Sequence, residues 1–308
     1  MRPIRGELAR LGRGAVSRVA RWSTDEVAGT SAVDLAVAAA LSPTDLEGTH
    51  DPVTFVRFLR SAWRDFPMSV DEVRQGPAST PADVRFDTML RNLAAGVPPL
   101  SVADALRLAR SFDSLAGRRD PFDRPTYAMD VAQHALIASS GSDKGRILAA
   151  LVRFLRAERV VDIGTCYGMS ALYLSSELVA GGRVVTVEMS EPQLSVSADV
   201  LAGTAAVTRI AGPSYEVVDQ VRDLLGEIDL VCHDGAHGHD AYVGDFTAYL
   251  PLMAPGAVLF LDDIRWEDDV PGARPARTYE GWRTIAAHPR VRRAVEIDDG
   301  RYGLLQVL

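Results

Sequence analysis

Lysine is almost missing from this chain. Lys144 is the single example in 308 residues, and arginine supplies every other basic side chain. So lopsided a choice reads as the imprint of a GC-rich genome, not as function. Cysteine is scarce too: only Cys166 and Cys232, each in or beside the end of an apolar run. Two cysteines imply no disulfide framework, which suits a reducing cytoplasm. Long apolar runs are absent. The longest, near residues 32–41, is too short to span a bilayer, so no membrane partner is expected. The first 22 residues carry six arginines without the apolar core of a secretory signal, and they read as a solvated helical face. Nor is positive charge in excess. A net charge of −8 argues against nucleic acid as a partner, because phosphate binding wants a basic face.

What is present divides near residue 125. Residues 1–125 read as helical throughout, with no strand of period two. Asp51-Pro52 opens a helix over 53–63, Thr80-Pro81 one over 84–95 ending at Gly96, and Ser101 one over 102–116 ending at Gly117. A linker rich in Arg, Asp and Pro follows, over 117–127. Residues 126–308 alternate instead. Apolar runs at 160–163, 183–187, 207–210, 228–232 and 257–261 are separated by helical patterns at 169–179, 191–201, 215–225 and 241–252. That order predicts an α/β fold with a mostly parallel sheet covered on both faces. The end differs. Runs at 291–297 and 302–308 flank Asp298-Asp299-Gly300-Arg301, a turn that predicts an antiparallel hairpin.

The stretch from Val160 to Ser170 reads as buried strand, glycine turn and helix start. Gly164 and Gly168 allow a tight turn and close backbone approach to a ligand, and the helix start offers free N–H groups. Its pattern is Asp162-x-Gly164-x-x-x-Gly168. A dinucleotide fingerprint has glycine at the first position, where a carboxylate would repel a pyrophosphate. An ammonium group would be attracted. With Glu188 closing the next strand, where it can accept two ribose hydroxyls, the pair favours S-adenosylmethionine over NAD.

From about Ser139 to the C-terminus the chain resembles the catechol O-methyltransferase-like group of metal-dependent class I methyltransferases. The segment Ser140-Gly141-Ser142-Asp143-Lys144-Gly145 is similar to the one that folds over the methionine moiety there. Gly164–Ser170 resembles the cofactor loop, with Ser170 where the methionine carboxylate binds. Val187-Glu188-Met189 resembles the ribose site, and Gly212-Pro213-Ser214-Tyr215 the residues edging the adenine. The resemblance covers a little over half the chain and leaves out residues 1–125. It implies a Rossmann-like class I methyltransferase domain over 126–308. The helical residues 1–125 are then a cap over the acceptor site, a dimer interface or both, and a homodimer is expected.

Two further clusters bear on chemistry. His233-Asp234-Gly235-Ala236-His237-Gly238-His239 follows the fourth run, and Asp262-Asp263 ends the fifth. Ligands of an open parallel sheet bind outside the C-terminal strand ends. Asp162, Asp234, Asp262 and Asp263 are therefore expected at one crevice, where a cation must relieve their repulsion. Oxygen ligands with open positions suit Mg²⁺. The resemblance implies a metal on Asp234, Asp262 and Asp263, although the family carries Asp-Asn where this chain has Asp262-Asp263. The change points towards the branch that methylates sugar and other natural-product hydroxyls. Asp234 is also expected beside the cofactor. His237 falls where the resembling family has its catalytic lysine and is the expected base, with His239 second. Zinc on the three histidines and Asp234 is the lesser reading, since the spacing is no standard zinc motif. Methyl transfer to nitrogen or carbon, an NAD oxidoreductase and a non-catalytic module are the alternatives.

Overall fold

A computed structural model describes residues 68–74, 76, 80–98, 100–115, 118, 131, 142–269 and 274–308. The basic stretch at the start of the chain, the helix expected over 53–63 and Ser140 lie outside the described residues. Two compact units divide the chain, residues 65–98 with 144–308, and residues 1–64 with 99–143. The first holds the sheet. In the second, Ser101 caps α2 (Val102–Asp113) by accepting from the Asp104 amide.

The strands are β1 (Val70–Arg74), β2 (Arg159–Ile163), β3 (Arg183–Glu188), β4 (Val207–Ala211), β5 (Ile228–His233), β6 (Met253–Leu261), β7 (Val291–Ile297) and β8 (Tyr302–Val307), in the spatial order β1-β7-β8-β6-β5-β2-β3-β4. From β4 to β6 all pairings are parallel, while β8, β7 and β1 add antiparallel. Strands β2, β3 and β5 are rich in apolar residues and almost wholly buried, as strands covered on both faces require. Val161, Ile163, Val185, Val187 and Val231 are all buried in one core. Asp298, Asp299 and Gly300 take positive φ in the β7–β8 turn, so the predicted hairpin forms. Among the described residues no helix is long and apolar enough to cross a membrane.

Helix α1 (Pro81–Ala95) starts with a reciprocal capping box. Thr80 accepts from the Asp83 amide, and Asp83 accepts from the Thr80 amide. Beside it, β1 is a departure from the helical reading of residues 1–125. Its sequence, Val-Asp-Glu-Val-Arg, has two apolar residues in five and no period of two, because it is an edge strand with Asp71, Glu72 and Val73 exposed. It pairs with β7 from Val70↔Ile297 onward. Arg293 of β7 is buried and ties three elements together. It pairs with Glu72 of β1 at 3.0 Å, pairs with Asp87 of α1, and lies over the Phe86 ring. Residues 65–98 thus pack with the sheet, on the far side of the boundary expected near 125.

The remaining helices are α3 (Ser142–Leu155), α4 (Met169–Ser176), α5 (Glu191–Val200), α6 (Val218–Leu225), α7 (His239–Tyr249), α8 (Trp266–Asp269) and α9 (Thr278–Ala286). The strand order reverses between β2 and β5, so their C-terminal ends open a crevice there.

Candidate active site

Asp162, next to last in β2, is fully buried. Its Oδ2 accepts from the hydroxyls of Ser170, at 2.8 Å, and Thr186, at 2.7 Å. Its Oδ1 is buried without a hydrogen-bond partner. Burial pushes this carboxyl up to about 6, against the pull of those two hydroxyls. A buried acceptor oxygen left unpaired is costly, and a cationic donor would relieve it. The next turn is built by glycine. Gly164 has φ +98°, and a Cβ there would lie 2.3 Å from the Asp234 carbonyl oxygen, so the β2 and β5 loops touch backbone to backbone. Gly168 (φ +90°) then starts α4.

Glu188 ends β3. Its Oε2 accepts from the Cys166 amide at 2.8 Å and its Oε1 from the Ser190 amide at 2.9 Å. Two backbone donors fix the carboxylate, and each oxygen keeps a lone pair for a ribose hydroxyl. After β4, Ser214 donates to Asp245 Oδ1 at 2.5 Å, and Asp245 Oδ2 is bonded to His233 Nε2 at 2.8 Å. That chain anchors the loop on which Tyr215 stands exposed. His233 points to Asp245, away from Asp234, as strand alternation requires.

The acidic residues after β5 and β6 meet a partner that sequence reasoning missed. The Lys144 ammonium donates to Asp234 Oδ2 and to Asp262 Oδ2, each at 2.6 Å, and is itself 7% exposed. Helix α3 brings it there. Arg146, two residues on, donates to the carbonyls of Val97 and Pro98. Gly145 lets the Tyr173 ring of α4 come where a Cβ would be, 2.1 Å from it. Burial alone would lower the lysine, but the charges of Asp234 and Asp262 outweigh it and hold the ammonium well above its ordinary value. Burial pushes both carboxyls up as well. Lys144 pulls Asp262 back below the usual carboxylate range, while Asp234, against the charge of Asp262, stays raised. The signal in the sequence was the uniqueness of the lysine itself.

Asp263 goes elsewhere. Its backbone is left-handed (φ +48°), and its Oδ1 accepts from Arg301 Nε at 3.2 Å. Among the described residues no group of three or more His, Cys, Asp or Glu is arranged to hold a metal ion. The Mg²⁺ expected on Asp234, Asp262 and Asp263 does not fit the residues as they stand. One oxygen from each of the first two holds an ammonium, and the third carboxylate faces a guanidinium.

His237 lies beside this cluster. Its Nδ1 is 3.0 Å from the Tyr242 hydroxyl, and that hydroxyl is 2.9 Å from the Asp262 carbonyl oxygen. A carbonyl only accepts, so the phenol donates to it and accepts from Nδ1–H. The Nε2 lone pair is thereby left available, 3.9 Å from Asp234 Oδ1. Burial lowers the His237 value, although the charges of Asp262 and Asp263 oppose it. The ring stacks on Trp266 at 5.7 Å. His239 instead bonds the exposed Asp240. Tyr242 is the residue that orients His237.

Comparison with known proteins bears on the fold and on the class of chemistry. Residues 161–264 match the family described as "Methyltransferase domain". Catechol O-methyltransferase B of Danio rerio is 27% identical over 199 residues, 60% of this chain and 75% of that protein. Caffeoyl-CoA O-methyltransferase 2 of Petunia hybrida is 22% identical over 172 residues, 50% of this chain and 70% of that protein. Among solved structures, the SAH-bound methyltransferase PaMTH1 of Podospora anserina shares the fold, with a TM-score of 0.51 at 16% identity over 66% of this chain and 88% of that one. Over residues 161–264 the chain is thus similar to methyltransferase domains, and over half or more of its length it is similar to O-methyltransferases.

Proposed function

We propose that the protein transfers the methyl group of S-adenosylmethionine to a hydroxyl of a specialised metabolite, a sugar, polyketide or phenolic acceptor. The observation that carries this reading is the juxtaposition of an unpaired, buried Asp162 oxygen and a doubly anchored Glu188 with the orientated imidazole of His237. Asp162 is suited to the ammonium of the methionine moiety, Glu188 to the ribose, and Gly164 to close approach of the backbone. Ser170 and Gly168 edge the methionine end, Ser140 belongs to the same end by resemblance, and Ser214 and Tyr215 edge the adenine.

When bound, S-adenosylmethionine supplies an electrophilic methyl on a sulfonium. In the transfer an O–C bond forms, and the C–S bond breaks with its electron pair left on sulfur. The chain's part is to prepare the oxygen. A neutral hydroxyl is a poor nucleophile, so His237 Nε2 takes its proton and later yields it to water. Tyr242 holds the tautomer that makes Nε2 the base. Trp266, stacked on His237, offers a flat wall that suits a planar acceptor. The names of the two relatives refer to phenolic acceptors, which is the class to try first. Dimerisation through residues before 125 and a cytoplasmic location stay part of this proposal.

The test is an incubation with S-adenosylmethionine carrying a labelled methyl and a panel of catechols, other phenols and sugars, read by mass spectrometry. Label on an acceptor oxygen is expected. Label only on nitrogen or carbon, or S-adenosylmethionine bound with no acceptor methylated, would contradict the reading.

A further inference from the structure

The chain makes one lysine and buries it where two carboxylates converge on a single nitrogen. Everywhere else a basic side chain is arginine. A planar guanidinium presents a wide fork, whereas an ammonium is a compact point charge with three donors. Between Asp234 Oδ2 and Asp262 Oδ2 the ammonium therefore occupies the position a small divalent cation would take. The remaining acid, Asp263, is held by Arg301 instead of turning to the same point. Two of the three lysine donors go to the two carboxylates, which leaves the third to meet an acceptor oxygen.

Resting on the methyl-transfer reading above, we infer that Lys144 is the cation of the acceptor site, a catalytic residue that binds the acceptor oxygen where related enzymes would use a metal. Lys144 steadies the oxygen as its proton leaves for His237 Nε2, and Asp234 and Asp262 hold the ammonium in place. Unlike a metal, the ammonium is covalently part of α3, so the site is complete without a dissociable ion. Transfer then proceeds in chelator.

The test has two readouts, one independent of turnover. Mn²⁺ is titrated into the protein and followed by its electron paramagnetic resonance, for the wild type and for Lys144→Met, which keeps the aliphatic stem and deletes the charge. Wild type is expected to bind no Mn²⁺ at millimolar concentration. Lys144→Met, with its carboxylates released, is expected to bind Mn²⁺ on the order of a hundredfold more tightly than wild type. Wild-type turnover is expected to be unchanged by EDTA, and the variant's to fall by about a hundredfold without loss of S-adenosylmethionine binding. One Mn²⁺ bound per wild-type chain, or turnover lost in EDTA and restored by Mg²⁺, overturns the inference. Undiminished turnover of Lys144→Met, or a folded variant that still binds no Mn²⁺, does so as well. Should the variant fail to fold, the wild-type Mn²⁺ titration still decides. Failure of the methyl-transfer reading is separate, since it would show as absent S-adenosylmethionine binding whatever the Mn²⁺ result.

Discussion

In the proposed reaction His237 depends on Tyr242 to act as a base. The phenol donates to the Asp262 carbonyl, accepts from Nδ1–H and so leaves Nε2 the free nitrogen. Replacing His237 with Gln should lower kcat by about 10²–10⁴-fold with little change in S-adenosylmethionine affinity. Tyr242→Phe should cost about tenfold in kcat, because the tautomer is no longer held. The pH profile carries a sign. Burial depresses the His237 value, so its neutral, active form persists at lower pH than an ordinary histidine would allow. Rate should be full at neutral pH and fall as pH drops through a midpoint below 6.5, and His237→Gln should erase that limb. A midpoint above 6.5 would count against His237. At this scale the sequence told unequal parts of the story. Asp162, Glu188 and His237 are legible because each ends or follows an apolar run, so topology alone brings them to the crevice. Lys144 is not, because its partners lie 90 and 118 positions away and a lone lysine resembles codon bias.

The loop from β2 to α4 is the element on which the proposed cofactor site depends. Gly164 stands where a methyl group would collide with the Asp234 carbonyl and where φ is positive. Gly164→Ala is expected to destabilise the fold by roughly 2 kcal/mol or more, through backbone strain and a displaced β5 loop. Denaturant unfolding measures the first effect and S-adenosylmethionine titration the second. An alanine variant of unchanged stability would mean that the loops do not touch as described. Strands β2, β3 and β5 were readable because burial on both faces favours runs rich in apolar residues. The β7–β8 hairpin was readable from Asp-Asp-Gly, residues that tolerate positive φ. Strand β1 was hidden, since an edge strand with charged outward positions has no apolar period to find. What makes it a strand is its ladder to β7 and the ion pairs of Arg293, partners far along the chain.

At the scale of the molecule, one reversal of strand order organises everything. Residues from β2, β3, β5 and β6 meet at one edge of the sheet because their C-terminal ends all point there. In the proposed site the acid at the head of the first loop separates a methionine-bearing cofactor from a dinucleotide, and burial gives it a pH signature. The most direct measurement is calorimetric titration of the protein with S-adenosylmethionine and with NAD across pH. S-adenosylmethionine should bind at neutral pH, lose affinity as pH falls through about 6 and Asp162 takes up a proton, and bind about tenfold more weakly to Glu188→Ala. NAD bound in its place, or no S-adenosylmethionine binding at any pH, would contradict the account.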